Sequence, residues 1–410
     1  MHPAVRDRRV FCVRSHAPVS NPGLDAGQGA WREVPLRFAP GQTTGCKTMN
    51  RRDLIIGGGA IAALGLAAHA LTRGPSYAAA AAEVWAPRSP RTMDELDFLV
   101  HHATLAANSH NTQPWLFSGG TDQVTIRPDL SRATPAVDPD NHHLFASLGC
   151  AAENLGLAAS AAGRSSAIES LDGKNELRVS LGSTGAAADS LFDAVTERQC
   201  TRSVYDGRPV PAEDLAAIEA AAKVAGCSVM LITDRPRMEQ ILELIVAANT
   251  TQIEDPAFVA ELKQWLRFNA GEALSRRDGL YSACSGNPTL PGFIARPAFG
   301  LVFTAAAENA KCADQVRSSA GFAVFVSERD DPEHWVRAGR SYQRFALAST
   351  ARGIRHAFLN QPVEVARMRP ELAALLGTGG RRPNLVVRFG YARPMPRSLR
   401  RPPGDVIVAA

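Results

Sequence analysis

The chain has 410 residues, 45% of them hydrophobic and 21% charged, with 45 Lys and Arg against 40 Asp and Glu for a formal net charge of +5. This is the composition of a globular protein with a sizeable core and enough chain for two ordinary domains. The mild positive charge gives no ground for a nucleic-acid partner, because the arginines are scattered and form no long basic run. Seven cysteines occur without a CxxC pair, and those after residue 82 have no regular spacing. Zinc chemistry, thioredoxin-like chemistry and a disulfide framework are therefore not expected, and buried free thiols are.

Residues 1–48 are rich in Pro, Gly and Arg without sustained periodicity and read as a disordered leader or a mis-assigned start. Residues 49–82 read as a signal segment. Asn50-Arg51-Arg52-Asp53-Leu54 carries a twin arginine, an apolar run from Leu54 to Leu71 is broken by four glycines, and Ala78 to Ala82 supplies small residues. A positive start, a moderately apolar middle and an Ala-x-Ala cleavage site are the parts of a twin-arginine export signal. The expectation is export to the periplasm, with the twin-arginine translocon as a partner in transit. If uncleaved, the apolar run would leave a membrane anchor.

The predicted elements then follow in chain order. A helix near Met93 to Ala107 precedes a loop, Asn108 to Gln113, and the strand Trp115-Leu116-Phe117. Gly119-Gly120 joins that strand to Val124-Thr125-Ile126 as a hairpin. Leu144 to Gly163 has the spacing of a buried, Ala-rich helix, and Leu177 to Val179 that of a short strand. A soft linker, Gly182 to Ala188, separates a first half (83–188) from a second (189–410). The second half is expected to hold helices at Ser190 to Glu197, Pro211 to Val224, Met238 to Ala248, Phe258 to Phe268 and Trp335 to Arg352. Its strands are expected at Ser228 to Ile232, Phe322 to Val326 and Asn384 to Phe389, and its Gly- and Pro-rich stretch Ser282 to Gly300 as an irregular loop. Strands alternating with long helices, together with a hairpin, indicate an α+β or mixed α/β architecture. No GxGxxG follows a strand, and no Walker, HExxH or GxSxG motif is present.

Three strings carry chemistry. Ala107-Asn108-Ser109-His110-Asn111-Thr112-Gln113-Pro114-Trp115 places short polar side chains in a loop that Pro114 stiffens and Trp115 anchors in the core. Such groups suit the polar edge of a flat ligand, although a simple polar turn explains them equally. In Glu197-Arg198-Gln199-Cys200-Thr201-Arg202, the arginines are four apart, so a helical turn would aim two guanidinium forks at one phosphate. The third string is Gly390-Tyr391-Ala392 followed by Arg397-Ser398-Leu399-Arg400-Arg401-Pro402-Pro403, a final strand with a basic tail. His101-His102 and His142-His143 point in different directions on a helix and have no carboxylate or Cys at a ligand spacing, so no metal is expected.

The pattern Ser-x-Asn-x-Gln-Pro-Trp resembles that of nitroreductase-type flavoproteins, whose loop touches FMN. Asp129-Leu130-Ser131-Arg132, Asp138-Pro139 and Ser147 to Leu155 are similar to Acg-type FMN-binding oxidoreductases, and the resemblance covers about residues 93 to 408. It implies FMN as cofactor and a nitroreductase-like α+β fold. Residue by residue, it implies edge contacts from Ser109, Asn111 and Gln113. It implies a phosphate grip from Arg198 and Arg202, with Cys200 where the family has a serine, and from Arg400 or Arg401. It also implies backbone donors near flavin N5 from Asn360 and Gln361. The family's usual homodimer builds each site from a loop of one subunit and arginines of the other. Here the loop occurs only in the first half and the arginine pair only in the second, so the chain reads as two fused halves, an intrachain pseudo-dimer with one site. The implied reaction moves two electrons from a reduced nicotinamide or similar donor to a nitroaromatic, quinone or similar acceptor, with no stable protein partner. The alternative is a protein that binds or sequesters FMN with little turnover.

Overall fold

The computed structural model describes residues 76–169 and 173–409. The leader, the twin-arginine motif and the apolar run after it lie outside the described residues. Chain order begins with helix α1 (Tyr77–Val84), whose Ser76 cap accepts the Ala79 N–H at 3.2 Å. The run Ala78 to Ala82, read from sequence as cleavage material, is thus a helix. It buries Ala80 and Ala81 against the body, and the Tyr77 hydroxyl donates to the Arg397 carbonyl at 2.8 Å. Helix α2 (Glu95–Thr104) starts at Asp94, whose carboxylate accepts the Leu96 N–H, a cap that also favours the helix dipole.

The first half carries one antiparallel sheet. Its strands are β1 (Trp115–Gly119), β2 (Gln123–Pro128), β3 (Arg164–Ile168) and β4 (Leu177–Thr184), in the order β1-β2-β4-β3. The expected hairpin pairs Trp115 with Pro128 and Gly119 with Val124. Gly119 has φ +149, and a Cβ there would stand 2.2 Å from the Gln123 carbonyl oxygen, so only glycine closes this turn. Between β2 and β3 runs helix α3 (His142–Ala161), which is buried along nearly its whole length.

The second half opens with a difference from expectation. Ser190 to Glu197 is not a helix but a single 3-10 turn, Phe192–Ala194. The Asp189 carboxylate folds onto the Leu191 N–H, and the chain then straightens because Cys200 bridges to His356 and Thr201 donates its N–H to the His356 carbonyl. Helix α4 (Ala212–Ala221), strand β5 (Cys227–Ile232), α5 (Arg235–Glu254) and α6 (Pro256–Trp265) follow. A short parallel pair, β6 (Leu266–Arg267) and β7 (Leu280–Tyr281), encloses α7 (Ala270–Arg276).

Ser282 to Gly300 is likewise more ordered than its composition indicates. A 3-10 turn, Ser282–Ser285, leads to helix α8 (Gly292–Val302), which starts after Pro291 and contains Pro297. The glycines and prolines hide an apolar run from Phe293 onward that has helical spacing. Helix α9 (Ala305–Arg317), β8 (Gly321–Ser327), α10 (Pro332–Ala351), β9 (Arg355–Phe358), α11 (Gln361–Glu364), α12 (Arg369–Leu376) and β10 (Pro383–Gly390) complete the half.

The second sheet has the order β5-β8-β10-β9 and is antiparallel throughout. Every residue of β8 and β10 is buried, as expected for strands covered on both faces. The architecture is α+β, with one sheet from each half and the long helices α3 and α10 packed between them. One continuous core joins Phe98, Trp115 and Phe117 of the first half to Phe325, Phe345 and Phe389 of the second. After β10 the chain returns to the first sheet: Val408 N–H donates to the Phe117 carbonyl, and Phe117 N–H to that of Val406, each at 2.8 Å. This return carries residues 397–401 across the junction of the halves.

Candidate functional site

The loop after α2 is held in an unusual backbone shape. His110, Asn111 and Gln113 have φ values of 48, 55 and 54, the left-handed region that costs a non-glycine residue about 1 kcal/mol or more. Local bonds maintain it. The Asn108 side chain accepts the Gln113 N–H at 2.9 Å, and Thr112 N–H donates to the Ser109 carbonyl. Strain of this kind clusters at ligand clamps and active sites, and here it lies beside a cavity.

The arginine string reaches one cavity by a different geometry from the one expected. Residues 198–202 are extended rather than helical. Side chains then alternate with period two, and Arg198, Cys200 and Arg202 all line a cavity of about 60 Å³. Arg400 lines it too, so Arg198, Cys200, Arg202 and Arg400 come together, and Asn111, expected at the flavin edge, lies with them instead. Arg401 does not join them. It lies 3.7 Å from Asp129, and its backbone N–H donates to Gln113 Oε1. Gln113 is fully buried and also donates to the Arg277 carbonyl at 2.9 Å. Gln113 and Arg401 therefore fasten the tail to the loop and line none of the cavities described.

The small cavity is strongly cationic. None of its lining residues is an Asp or Glu. The Arg198 guanidinium donates to the Leu105 carbonyl at 2.9 Å, but its Nε is buried without a partner. Arg202 makes no hydrogen bond or ion pair through its guanidinium among the described residues. Arg400 is held by the carbonyls of Thr104, Ala106 and Leu399, by Ser398 Oγ and by Asn111 Oδ1 at 2.8 Å. Burial, reinforced by the nearby Arg198 charge, presses its pKa down to about 9. An incoming dianion would relieve exactly that repulsion, which is what a phosphate site requires. Asn111 donates to the carbonyls of Gly279 and Leu399 while accepting from Arg400. It orients the arginine and does not line the larger cleft described next. The hydroxyl of Thr201, next to Cys200, is turned away to Gln199.

Sequence reasoning missed three contributors to the cavity. Trp85 lies under Arg198, Arg397 and Arg400, its ring 5.0–5.9 Å from their guanidinium carbons, and its indole N–H donates to the Ser398 carbonyl. Tyr281 and Cys284 close the opposite wall. No local motif announces Trp85.

Ala107, Asn108, Arg202, Leu280 and Ser285 line both this cavity and a larger one of about 300 Å³. The two therefore share a wall. Ser109, His110, Asn360 and Gln361 line the larger cleft. Asn360 Oδ1 accepts the Val386 N–H at 2.9 Å, which ties α11 to β10, and Gln361 Oε1 is buried without a partner. Phe258 and Leu262 of α6 with Phe299 of α8 give the cleft an apolar wall, and Ser285 and Asn287 lie along it. The segment 282–300 thus borders the cleft.

Asp138, His142 and His143 each bring one ligand-type atom within 4.8 Å of the others, a carboxylate that the sequence spacing did not reveal. Both Asp138 oxygens accept backbone N–H groups, from His143 and Leu144 at 3.0 Å. Asp138 thus caps the start of α3.

No protein-family profile matches the chain. The inferred NAD(P)H nitroreductase Rv3131 of Mycobacterium tuberculosis is 26% identical over 324 residues, 74% of this chain and 88% of its own. A second inferred NAD(P)H nitroreductase of that organism, named acg, is 24% identical over 337 residues, 78% and 97% of the two chains. Among solved structures, the FMN-dependent nitroreductase NfnB from Mycobacterium smegmatis, in complex with NADPH, aligns with a TM-score of 0.33 at 15% identity, covering 48% of this chain and 86% of that one. A nitroreductase with bound FMN from Bacteroides fragilis aligns with a TM-score of 0.32 at 16% identity, covering 50% and 90%. In sequence the chain resembles these nitroreductases, the one named acg among them.

Proposed function

We propose that this protein is an FMN-dependent oxidoreductase that passes two electrons from a reduced nicotinamide or similar donor to a nitroaromatic, quinone or similar small acceptor. The observation that carries this reading is the carboxylate-free cavity of Arg198, Arg202 and Arg400, which shares a wall with a cleft large enough for a flat ring system. The three arginines would hold the FMN phosphate. Ser109 and the α11 segment at Asn360 and Gln361 would border the isoalloxazine. When bound, FMN supplies the hydride chemistry. The protein's part is to anchor, orient and shield.

The α+β frame fits a fused pseudo-dimer, since each half contributes one sheet and one long central helix. The twin-arginine motif supports export, and replacing Arg51 and Arg52 by Lys should strand the precursor in the cytoplasm. Purified protein should be yellow, and acid-released flavin should amount to one FMN per chain. A colourless protein that takes up no flavin on reconstitution would overturn the cofactor assignment. The competing reading, flavin storage with little turnover, draws on α8 and the turn before it, which border the cleft. Steady-state turnover with a nicotinamide donor separates the two.

A further inference from the structure

The larger cleft holds a titratable cluster that phosphate anchoring does not use. His143, near the start of α3, has its Nε2 3.4 Å from Glu364 Oε1. Glu364, at the end of α11, accepts from Gln252 Nε2 of α5 at 2.7 Å. His110, on the strained loop, bonds Ser109 Oγ through Nδ1 at 3.0 Å. His110, His143, Gln252 and Glu364 all line the cleft. Side chains of α3 and α5 thus meet the Glu364 carboxylate of α11 at the wall of the proposed flavin site, with His110 of the strained loop lining the same cleft.

We propose that the His143 imidazolium, held charged by Glu364, is the proton donor for the acceptor that is reduced in this cleft. The proposal rests on the flavin reading above. With a quinone-type acceptor, FMN when bound would supply the hydride, two electrons and one hydrogen, that forms the first O–H bond of the hydroquinone. The N–H bond of the His143 ring nitrogen turned away from Glu364 breaks, its electron pair stays on nitrogen, and the proton forms the second O–H bond. Neutral His143 then regains a proton from solvent. Glu364 is a positioning residue that keeps the imidazolium charged, and Gln252 fixes the orientation of Glu364.

The surrounding charges favour this state. Burial opposes the charged imidazole, but the close approach of Glu364 and the Asp138 and Glu364 charges outweigh it, and the His143 pKa is raised. Burial likewise opposes ionised Glu364, yet His143 and Gln252 hold its pKa below the ordinary value. Asp140 is engaged by Arg369 and Arg382, of which Arg382 acts against His143. Arg202 faces His110 from the extended segment, and burial together with that charge presses the His110 pKa down to about 4. Glu308 and Lys311 of α9 face the cleft from the other side. His110 is therefore neutral near pH 7, and the proton available for transfer sits on His143.

The test uses flavin-loaded protein and two variants, His143→Gln and Glu364→Gln. Anaerobic reoxidation of the reduced protein by a quinone, followed across pH, should show a rate that falls above the His143 pKa. His143→Gln should lose that limb and about 100-fold in rate, with reduction by the donor unchanged. Glu364→Gln should keep the limb but shift it to lower pH. Histidine NMR titration of the unreduced wild type should show one imidazole titrating above the ordinary value, and that signal should shift down in Glu364→Gln. Reoxidation of His143→Gln within threefold of wild type, with its pH limb intact, overturns the proposal. So does a histidine spectrum in which no imidazole titrates high. Flavin absorbance of the same samples distinguishes the two readings. Flavin present with unchanged reoxidation sinks the proton donor alone, whereas wild-type protein without flavin sinks the cofactor reading and this one with it.

Discussion

Gly149 and Gly339 meet at the crossing of α3 and α10, each set against the backbone of the other helix. A Cβ on Gly149 would stand 2.0 Å from the Val336 carbonyl oxygen, and one on Gly339 would stand 1.9 Å from that of Ala146. The Cys150 thiol donates to the Gly339 carbonyl at 3.2 Å in the same crossing. Small residues here let the two halves approach to backbone contact. Gly149→Ala or Gly339→Ala should force the helices apart at a cost of about 3 kcal/mol, the upper end for overpacking. Urea unfolding measures it, and a change under about 0.5 kcal/mol, the scale of an ordinary surface substitution, would show that the helices relax freely.

The two arginines of the extended segment should separate on substitution. Arg202 has no competing protein bond, so Arg202→Ala should weaken FMN binding about tenfold or more, from the loss of one charge-assisted bond of roughly 1.5–3 kcal/mol. Riboflavin, which lacks the phosphate, should bind nearly as before. Arg198 also serves the Leu105 carbonyl, so Arg198→Ala should lower both phosphate affinity and stability. Fluorescence titration of apo-protein with both flavins reads this directly. Equal losses for FMN and riboflavin in Arg202→Ala would remove it from the phosphate site.

Asn111 should behave as a phosphate-site residue. Its Oδ1 holds Arg400, so Asn111→Ala should frees one Arg400 donor and reduce FMN affinity more than riboflavin affinity. Arg401→Ala, by contrast, should leave the ratio of the two affinities unchanged, because Arg401 faces Asp129. The same pair of titrations decides both variants.

Helix α1 bears on processing. Tyr77 holds the Arg397 carbonyl and packs against Tyr281, with ring centroids 4.4 Å apart. Cleavage after Ala82 would delete both contacts beneath the cationic cavity. N-terminal sequencing of exported protein should therefore find a mature start before Tyr77. A start at Glu83 with full flavin content would show that α1 is dispensable.

Acid stability should depend on Asp140. Burial opposes its ionised form, but Arg382 and Arg369 outweigh this and its folded pKa is lowered. A depressed carboxylate contributes stability above its unfolded pKa of about 3.9 and loses it as pH falls through the folded value. Asp140→Asn should lower stability at neutral pH and flatten the acid limb of the unfolding curve. A variant with the wild-type acid limb would assign that limb to other carboxylates.

Much of this arrangement was legible in the sequence because it is local. The hairpin at Gly119, helix α3 and the strands β5, β8 and β10 each announce themselves through periodicity or turn chemistry within a few residues. The arginines of the cationic cavity were legible as residue types, but their geometry was not. Arg198 and Arg202 share a face because Cys200 and Thr201 are drawn onto His356 of a distant strand, and no local propensity encodes that pairing. Helix α8 was obscured because Gly292 and Pro297 weigh against a helix that cleft-facing Phe299 helps to hold. Trp85, Glu364 and His143 were unreadable as a site for the same reason: each sits in an ordinary local context and acquires its neighbours only through the tertiary fold.

The returning tail also orders events in time. Arg400 is 289 residues downstream of Asn111, to which it bonds, and it is the last-translated residue of the cationic cavity. Chains fold from the N-terminus as they emerge, so both sheets can form while the cavity still lacks its final wall. If Arg400 holds the phosphate, cofactor capture becomes the closing event of biosynthesis, and a chain cut short before residue 400 would fold around an incomplete site.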